Sequence, residues 1–316
     1  MTAYEPFSVW APHARNVRLR LSDETFPMRA ARGDWWVAER VAEPGQRYGF
    51  ELFDGKEWSK TLPDPRSTAQ PDGVHGLSEV TDPAFPWTSE GWTGRPLAGQ
   101  VIYELHVGTF TPAGTFEGVV DKLGYLRDLG VTAIELMPVQ PFGGERNWGY
   151  DGVEWHAVHQ GYGGPEGLKK LVDAAHDAGI GVILDVVYNH FGPDGNYNGM
   201  FGPYTSGGST GWGEVVNISG PDSDEVRAYI LDAVRLWFEE YRIDGLRLDA
   251  VHSLDDRGAH SILEQMQAIA DDVAARTSVP RYLIAESDLN DPRLITGTDG
   301  GGYGLAAGPV FMTESQ

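Results

Sequence analysis

From about residue 100 onward, the chain alternates short apolar segments with amphipathic stretches, and this alternation restricts the possible folds most strongly. The apolar segments are VIYELHV (101–107), AIELMPV (133–139), VILDVVY (182–188), GLRLDAV (245–251) and YLIAES (282–287). Strands that are buried on both faces have such near-continuous apolar sequences, which are typical of a parallel sheet covered by helices. Doubly wound sheets and (β/α)8 barrels share this pattern, so periodicity alone leaves both open.

The first part of the chain has a different pattern. Its apolar residues alternate with polar ones in short segments, separated by Pro, Gly and Asp: FSVWAP, NVRLRLS, DWWVAERV and QRYGFELF. This pattern predicts a small β-sandwich. The stretch DPAFPWTSEGWTGRP then interrupts all periodicity, as an interdomain connection does. We therefore predict an α/β protein with a β-sandwich in residues 1–96 and a second domain in residues 97–316.

The charge balance restricts the partners of this chain. With 24 Lys and Arg against 46 Asp and Glu, the net charge of −22 repels nucleic acid and anionic lipid, so a neutral substrate fits better. The absence of cysteine excludes disulfides, thiolate zinc sites and a cysteine nucleophile. No apolar run approaches the roughly 20 residues of a membrane helix, and the N-terminus has no signal-peptide pattern. We expect a soluble, cytoplasmic protein without nucleic-acid or membrane partners.

Polar and ionisable residues stand at the ends of three of the predicted strands. In a barrel, the carboxyl ends of the strands form the active site. Two of these residues, Arg247 and Asp249, lie on the same face of their strand because side chains alternate with a period of two. The full set is Asp185, Asn189 and His190 in DVVYNH, Arg247, Asp249 and His252 in GLRLDAVH, and Glu286 in YLIAES.

An aspartate and a glutamate at the ends of neighbouring strands can act on one glycosidic bond. In a retaining mechanism one carboxylate attacks the anomeric carbon and the other protonates the departing oxygen, with the two carboxyl groups ~5–5.5 Å apart. We assign Asp249 as the nucleophile, kept ionised by Arg247, and Glu286 as the general acid and later base. The alternative is that either carboxylate only caps the helix that follows it.

The loop NWGYDG places two aromatic residues, Trp148 and Tyr150, beside Asp151. Aromatic faces stack on sugar rings, so Tyr150 could form the floor of the subsite that holds the attacked sugar, with Trp148 and Asp151 as further substrate contacts. A glycine-rich turn with packed aromatic residues would have the same sequence. His190 and His252 are either sugar contacts or hydrogen-bonded structural residues, and neither has metal-ligand spacing around it. We expect no metal site and no cofactor.

Taken in order, WGYDG, DVVYNH, GLRLDAVH and the AE of LIAES resemble the signatures of the α-amylase superfamily. The resemblance implies a (β/α)8 barrel. It also implies that Asp249 is the nucleophile, Glu286 the acid/base, and Arg247 the positioning partner of the nucleophile. Tyr150 and His190 would contact the sugar at the cleavage point, and Asp185 and Asn189 would be structural members of the site.

Within that superfamily, the segments YELHVGTFTPAGTF, PDPRSTAQPDGVHG and VDAAHDAGIGVILDVVYNHFGPDGNY resemble the maltooligosyltrehalose trehalohydrolase family. This resemblance implies an immunoglobulin-like sandwich of the carbohydrate-binding-module type before the barrel. It also implies hydrolysis of the α-1,4 bond next to the terminal trehalose of maltooligosyl trehalose or a related α-glucan. Two alternatives stay open: a 1,4-α-glucan branching enzyme, which is a transferase, and a non-catalytic glucan-binding fragment.

The sequence departs from the superfamily pattern after Glu286. The superfamily carries a third acidic residue in a His-Asp pair after a later strand, and Asp288, Asp291 and Asp299 stand too close behind Glu286 to supply it. About five of the eight strands of a closed barrel are recognisable. We therefore expect an incomplete barrel with exposed edges, self-association through them, and little activity of this chain by itself.

Overall fold

Two antiparallel sheets form the first part of the computed structural model, which describes residues 7–209, 211 and 213–307. One sheet has the strand order β1-β5-β4 and the other β3-β2-β6-β7. The two sheets contact each other where the Phe7 and Tyr48 rings pack edge to face, with centroids 5.1 Å apart. The strands are β1 Ser8–Trp10, β2 Asn16–Leu21, β3 Glu24–Pro27, β4 Arg29–Ala30, β5 Trp35–Val37, β6 Arg47–Phe53 and β7 Ser78–Glu79.

The predicted alternation is visible in β2 and in its neighbour β6. Val17 and Leu19 of β2 are buried, whereas Asn16, the first residue of the strand, is exposed. Leu19 pairs with Phe50 of β6, which is fully buried. The period of two in the sequence therefore forms one apolar face on this sheet.

The second part of the chain contains a six-stranded parallel sheet with helices between its strands. Its strand order is β16-β15-β14-β10-β9-β8. The remaining strands of this part are β8 Ile102–Leu105, β9 Ala133–Leu136, β10 Gly181–Val186, β11 His190–Phe191, β12 Thr205–Ser209, β13 Glu214–Val216, β14 Gly245–Leu248, β15 Tyr282–Ala285 and β16 Ala306–Ala307. The helices are α1 Val107–Phe110, α2 Phe116–Val120, α3 Leu123–Leu129, α4 Gly164–Asp177, α5 Asn198–Phe201, α6 Ser223–Glu239 and α7 Ile262–Thr277. Strands β11, β13 and β12 form a small antiparallel sheet beside the parallel one.

The prediction of five parallel strands was wrong by one. Ala306 of β16 pairs in parallel with Ile284 of β15, so a sixth strand extends the sheet. The sequence did not indicate this strand, because it is two alanines long and lacks the β-branched residues that are typical of strands. Within the described residues, β8 and β16 are the two edges, and no pairing joins them. Residues 1–6 and 308–316, on which the signal-peptide and chain-end expectations partly depend, lie outside the described part.

The helices follow from amphipathic sequence and from their end residues. The 14-residue helix α4 buries Leu168, Leu171, Val172 and Ala175, which recur at helical spacing along one face. Helix α7 begins after Ser261, whose side chain accepts a hydrogen bond from the Leu263 amide. None of the helices in the described ranges has the length and apolar character that crossing a membrane would require.

The connection between the two parts is bound to helix α4 and to the amino-terminal end of strand β14. The Trp92 indole donates a 2.8 Å hydrogen bond to Asp244, which directly precedes β14, and stacks on the ring of His176. Asp173 of α4 accepts hydrogen bonds from the amides and hydroxyls of Thr88 and Ser89. These contacts fix the connection although its sequence has no regular period.

Candidate active site

Strand register brings the predicted catalytic residues together. In the parallel sheet, Arg247 of β14 pairs with Asp185 of β10 on one side and with Ile284 of β15 on the other. Asp249 lies one residue beyond the end of β14, and Glu286 directly follows β15. The placement of the two carboxylates at adjacent strand ends, expected from the sequence, is present in the structure.

Arg247 contacts three carboxylates of this cluster. Its Nη1 donates hydrogen bonds of 3.0 and 2.9 Å to the two oxygens of Asp185 and one of 2.9 Å to Asp249 Oδ1. Its Nη2 lies 3.7 Å from Glu286 Oε2. A single guanidinium therefore spans both candidate catalytic groups, which is the planar, multidentate geometry that arginine provides.

Asp185 is the most deeply buried carboxylate at the site. Its side chain is 1% exposed and also accepts a 2.9 Å hydrogen bond from the Tyr150 hydroxyl. Burial raises the pKa of Asp185 to about 8, while the charge of Arg247 acts in the opposite direction. The guanidinium therefore offsets part of the cost of burying this carboxyl group.

Asp249 has a donor on each carboxylate oxygen. Arg247 binds Oδ1, and the Asn189 side-chain amide donates a 3.0 Å hydrogen bond to Oδ2. The same amide also donates to the backbone oxygen of Asp249 at 3.0 Å. Donors on both oxygens hold the Asp249 side chain in one orientation.

Glu286 is bound by the main chain next to Asp249. The Ala250 amide donates a 2.6 Å hydrogen bond to Glu286 Oε2. Ala250 adopts a left-handed conformation with φ 43° and ψ 53°, which is unfavourable for a residue with a Cβ atom. Backbone strain of this kind is typical of sites where a main-chain group must point in one direction. Here the strained backbone at Ala250 points its N–H at the Glu286 carboxylate.

Tyr150 and His190 form one wall of the cluster. The two nitrogens of the His190 ring lie 2.5 Å from Asn189 Oδ1 and 2.9 Å from the Tyr150 carbonyl oxygen. His190 thereby connects the residue that binds Asp249 to the residue whose hydroxyl binds Asp185. Burial is the main reason that the pKa of the Tyr150 hydroxyl is raised, so this hydroxyl stays protonated and acts as a donor.

Three predicted substrate contacts lie apart from this network. Trp148 is 73% exposed, Asp151 accepts a 2.7 Å hydrogen bond from Asn147, and His252 lies 3.6 Å from Asp288. Among the described residues, no hydrogen bond or ion pair joins any of the three to the two candidate catalytic carboxylates. Their role as substrate contacts therefore stays a prediction.

Two acidic residues within strands, the buried Glu135 and the exposed Glu104, were missed by the sequence analysis. Glu104 of β8 and Glu135 of β9 are register partners, and they lie on the same sheet face as the catalytic cluster by the period of two. Burial, together with the negative charge of Glu104, raises the pKa of Glu135 to about 7. The signal was present in the sequence, because each is a lone charge inside an apolar strand.

A histidine network that supports the NWGYDG loop was also missed. His106 Nε2 lies 2.7 Å from the Asn147 carbonyl oxygen and 3.2 Å from the Tyr162 hydroxyl. His106 follows β8 directly, so its place at a strand end could have identified it. Across the residues that the structure describes, no group of three or more His, Asp or Glu side chains has an arrangement that could hold a metal ion.

Replacing Arg247 by Met is expected to destabilise the polypeptide by roughly 3–5 kcal/mol, because it leaves a buried cluster of acidic side chains without the guanidinium that donates to Asp185 and Asp249. Urea unfolding followed by tryptophan fluorescence measures this change. Arg276→Met is the matched control, because Arg276 forms ion pairs with Glu239 and Asp272 at an exposed position, where its loss should change the stability much less. Equal unfolding midpoints for the two variants would contradict the assigned role of Arg247.

The sequence of this chain is similar to a known family model and to several known enzymes. The family model described as the catalytic domain of alpha amylase matches residues 63–200. A malto-oligosyltrehalose trehalohydrolase from Rhizobium sp. (strain M-11) is 52% identical over 95% of this chain and 51% of its own length. A 1,4-alpha-glucan branching enzyme from Corynebacterium jeikeium (strain K411) is 34% identical over 78% of this chain and 38% of its own length.

Solved structures agree with the fold. A Salmonella typhimurium crystal structure described as a candidate alpha amylase is 43% identical, with a TM-score of 0.81. The match covers 90% of this chain and 48% of the Salmonella chain. The barrel-type α/β fold predicted from the sequence is confirmed by these comparisons. The chain spans about half the length of the curated trehalohydrolases that it matches.

Proposed function

This chain belongs to the α-amylase superfamily and matches malto-oligosyltrehalose trehalohydrolases along 95% of its length, and from this premise we propose that its whole protein releases trehalose from maltooligosyl trehalose. The bond cleaved would be the α-1,4-glucosidic bond next to the terminal trehalose unit. The observation that carries the proposal is the Asp249 and Glu286 pair, held by one arginine at adjacent strand ends.

In the first step, the Asp249 carboxylate attacks the anomeric carbon and forms a glycosyl ester. Arg247 and Asn189 hold both of its oxygens, so the nucleophile approaches in a fixed orientation. The bond between the anomeric carbon and the oxygen of the trehalose unit breaks, and its electron pair stays on that oxygen. Glu286 donates a proton to this oxygen as it departs.

The Ala250 amide determines which oxygen of Glu286 carries that proton. Because the amide donates to Oε2, the proton of the acid form belongs on Oε1, which has no hydrogen-bond partner among the described residues. In the second step, Glu286 accepts a proton from water, the water oxygen attacks the anomeric carbon, and the ester bond to Asp249 breaks. The sugar chain is released with its original anomeric configuration.

Tyr150 and His190 would form the floor and wall of the subsite that holds the attacked sugar. The Tyr150 ring belongs to the loop that His106 supports, and its hydroxyl is fixed on Asp185. A fixed aromatic face suits a sugar ring because stacking needs no rearrangement of the side chain. Asp185 and Asn189 would be structural members of the site, since their polar atoms already bind other residues.

We further propose that residues 1–96 form a β-sandwich domain of the carbohydrate-binding-module type before an arc of the barrel in residues 97–316. The two contacting antiparallel sheets support this division. Contacts that cross the proposed boundary, such as the ion pair of Arg66 with Asp232, attach the first domain to helix α6. Sedimentation of the polypeptide would test whether it self-associates through its sheet edges β8 and β16.

The proposed function predicts strong discrimination between two substrates of equal length. A complete enzyme that contains this chain should cleave maltotriosyl trehalose much faster than maltopentaose, because a trehalohydrolase recognises the α,α-linked terminal glucose. Chromatography of the products measures both rates and identifies free trehalose. Equal rates would indicate a general amylase, and new α-1,6 branches in place of trehalose would support the branching-enzyme alternative.

A further inference from the structure

A second cavity lies outside the carboxylate cluster, where the first domain meets two loops of the second. Its volume is about 430 Å³, which lies within the range of about 300–1,000 Å³ typical of small-molecule sites. Its lining includes His13 from the first domain, residues 216–222, and the segment that contains Asp255 and Arg257. Sites at domain junctions commonly bind ligands because several chain segments converge there.

Several polar groups in this cavity have free hydrogen-bonding capacity. Arg257 uses Nε and Nη2 to bind Asp255, at 2.9 and 2.8 Å, so its Nη1 has no partner among the described residues. His13 has Nδ1 3.1 Å from the Gly199 carbonyl oxygen, which leaves Nε2 available. Asp222 stands at the N-cap of α6 in a left-handed conformation, yet its side chain makes no capping bond.

The chemistry of the lining identifies the class of ligand. The carboxylates of Asp222 and Asp255 outnumber the single guanidinium, so an anion would be repelled. Pro203 and Pro221 add accessible apolar surface between these donors and acceptors. A neutral polyhydroxylated molecule matches both features, because its hydroxyl groups donate to carboxylates and its C–H faces pack on apolar side chains.

The main chain connects this cavity directly to the catalytic cluster. The Val216 amide donates a 3.4 Å hydrogen bond to the Asn189 carbonyl oxygen, and Asn189 is the residue that binds Asp249. A second segment that lines the cavity is the loop after β14, in which Asp255 follows Asp249 by six positions. Strand β13 and the loop after β14 therefore border both the cavity and the carboxylate cluster.

We propose that this cavity is an additional subsite for a linear α-1,4-glucan segment of the substrate, remote from the bond that is cleaved. The proposal rests on the function proposed above, since it assumes the same oligosaccharide. Arg257 and His13 would bind sugar hydroxyl oxygens, and Asp222 would accept hydrogen bonds from hydroxyl groups. The site would bind sugar without taking part in the chemical step.

Equilibrium dialysis of this polypeptide against labelled maltoheptaose tests the proposal, because dialysis counts bound sugar in any oligomeric state. Asp222→Asn and Arg257→Ala should each raise the Kd for maltoheptaose about tenfold, the loss expected for a hydrogen bond to a charged group. Arg276→Ala is the matched control, since it removes a guanidinium of an ion pair on the helical layer and should leave the Kd unchanged.

A crystal of the polypeptide soaked in maltoheptaose should show sugar density against His13 and Arg257. Absence of maltoheptaose binding to the parent, or the same Kd for the parent, Asp222→Asn and Arg257→Ala, would overturn the subsite. Failure of the proposed function is distinguishable from this result. If the proposed function is wrong but the subsite exists, a complete enzyme would release no trehalose, while the dialysis would still detect bound maltoheptaose and the density would still locate it in the cavity.

Discussion

Replacing Asp249 by Asn in a complete enzyme is expected to lower the rate of trehalose release by at least ~10⁴-fold, because the amide cannot form the glycosyl ester. The substitution keeps the shape of the side chain and one acceptor oxygen, so it loses one of the two side-chain hydrogen bonds that Arg247 and Asn189 donate. Stability should therefore fall much less than activity. Release of trehalose from maltotriosyl trehalose, followed over time, measures the loss.

Asp272→Asn is the matched control for this experiment. Asp272 is an exposed carboxylate that pairs with arginines on the helical layer, and its loss should leave the rate of trehalose release unchanged. Turnover by Asp249→Asn comparable with that of the parent would refute the nucleophile assignment. It would also remove the main support for the retaining mechanism.

Replacing Glu286 by Gln is expected to lower the rate on maltotriosyl trehalose by about 10²–10⁴-fold, because the departing oxygen receives no proton. A glycosyl fluoride needs no such proton, so the first step should remain fast with this substrate. The second step still lacks its base. The glycosyl ester on Asp249 should therefore accumulate, and mass spectrometry of the intact protein would detect its added mass.

The two variants together separate the roles of the carboxylates. The double variant Asp249→Asn with Glu286→Gln should form no adduct with the glycosyl fluoride. An adduct of equal yield in the double variant would place the covalent bond on another residue. Absence of an adduct in Glu286→Gln alone would contradict the division of roles between nucleophile and acid.

The arrangement of the candidate catalytic residues could be predicted because it depends on strand periodicity. Arg247 and Asp249 share a face by the period of two, and parallel pairing brings Glu286 beside them. The spacing of polar residues at strand ends therefore carries most of the information about the site. Trp148 shows the limit of this reasoning, since its loop sequence does not reveal that the ring is largely exposed.

Other features depend on tertiary contacts that leave no local pattern. The pairing of Ala306 with β15 has no β-branched residue to indicate it. The left-handed Ala250 could not be predicted, because alanine usually avoids this conformation and only the surrounding structure maintains it. The cavity beside Arg257 requires the approach of His13 from a segment more than 200 residues earlier in the chain.

The hydrogen bond from the Ala250 amide to Glu286 has a mechanical consequence for the site. The peptide unit that joins Asp249 to Ala250 carries this amide, so it is bonded to one candidate catalytic residue and hydrogen-bonded to the other. We therefore expect the separation of the two carboxylates to change little when the loop that follows moves. Because the link passes through the main chain, the identity of the side chain at position 250 can vary as long as the left-handed backbone is kept.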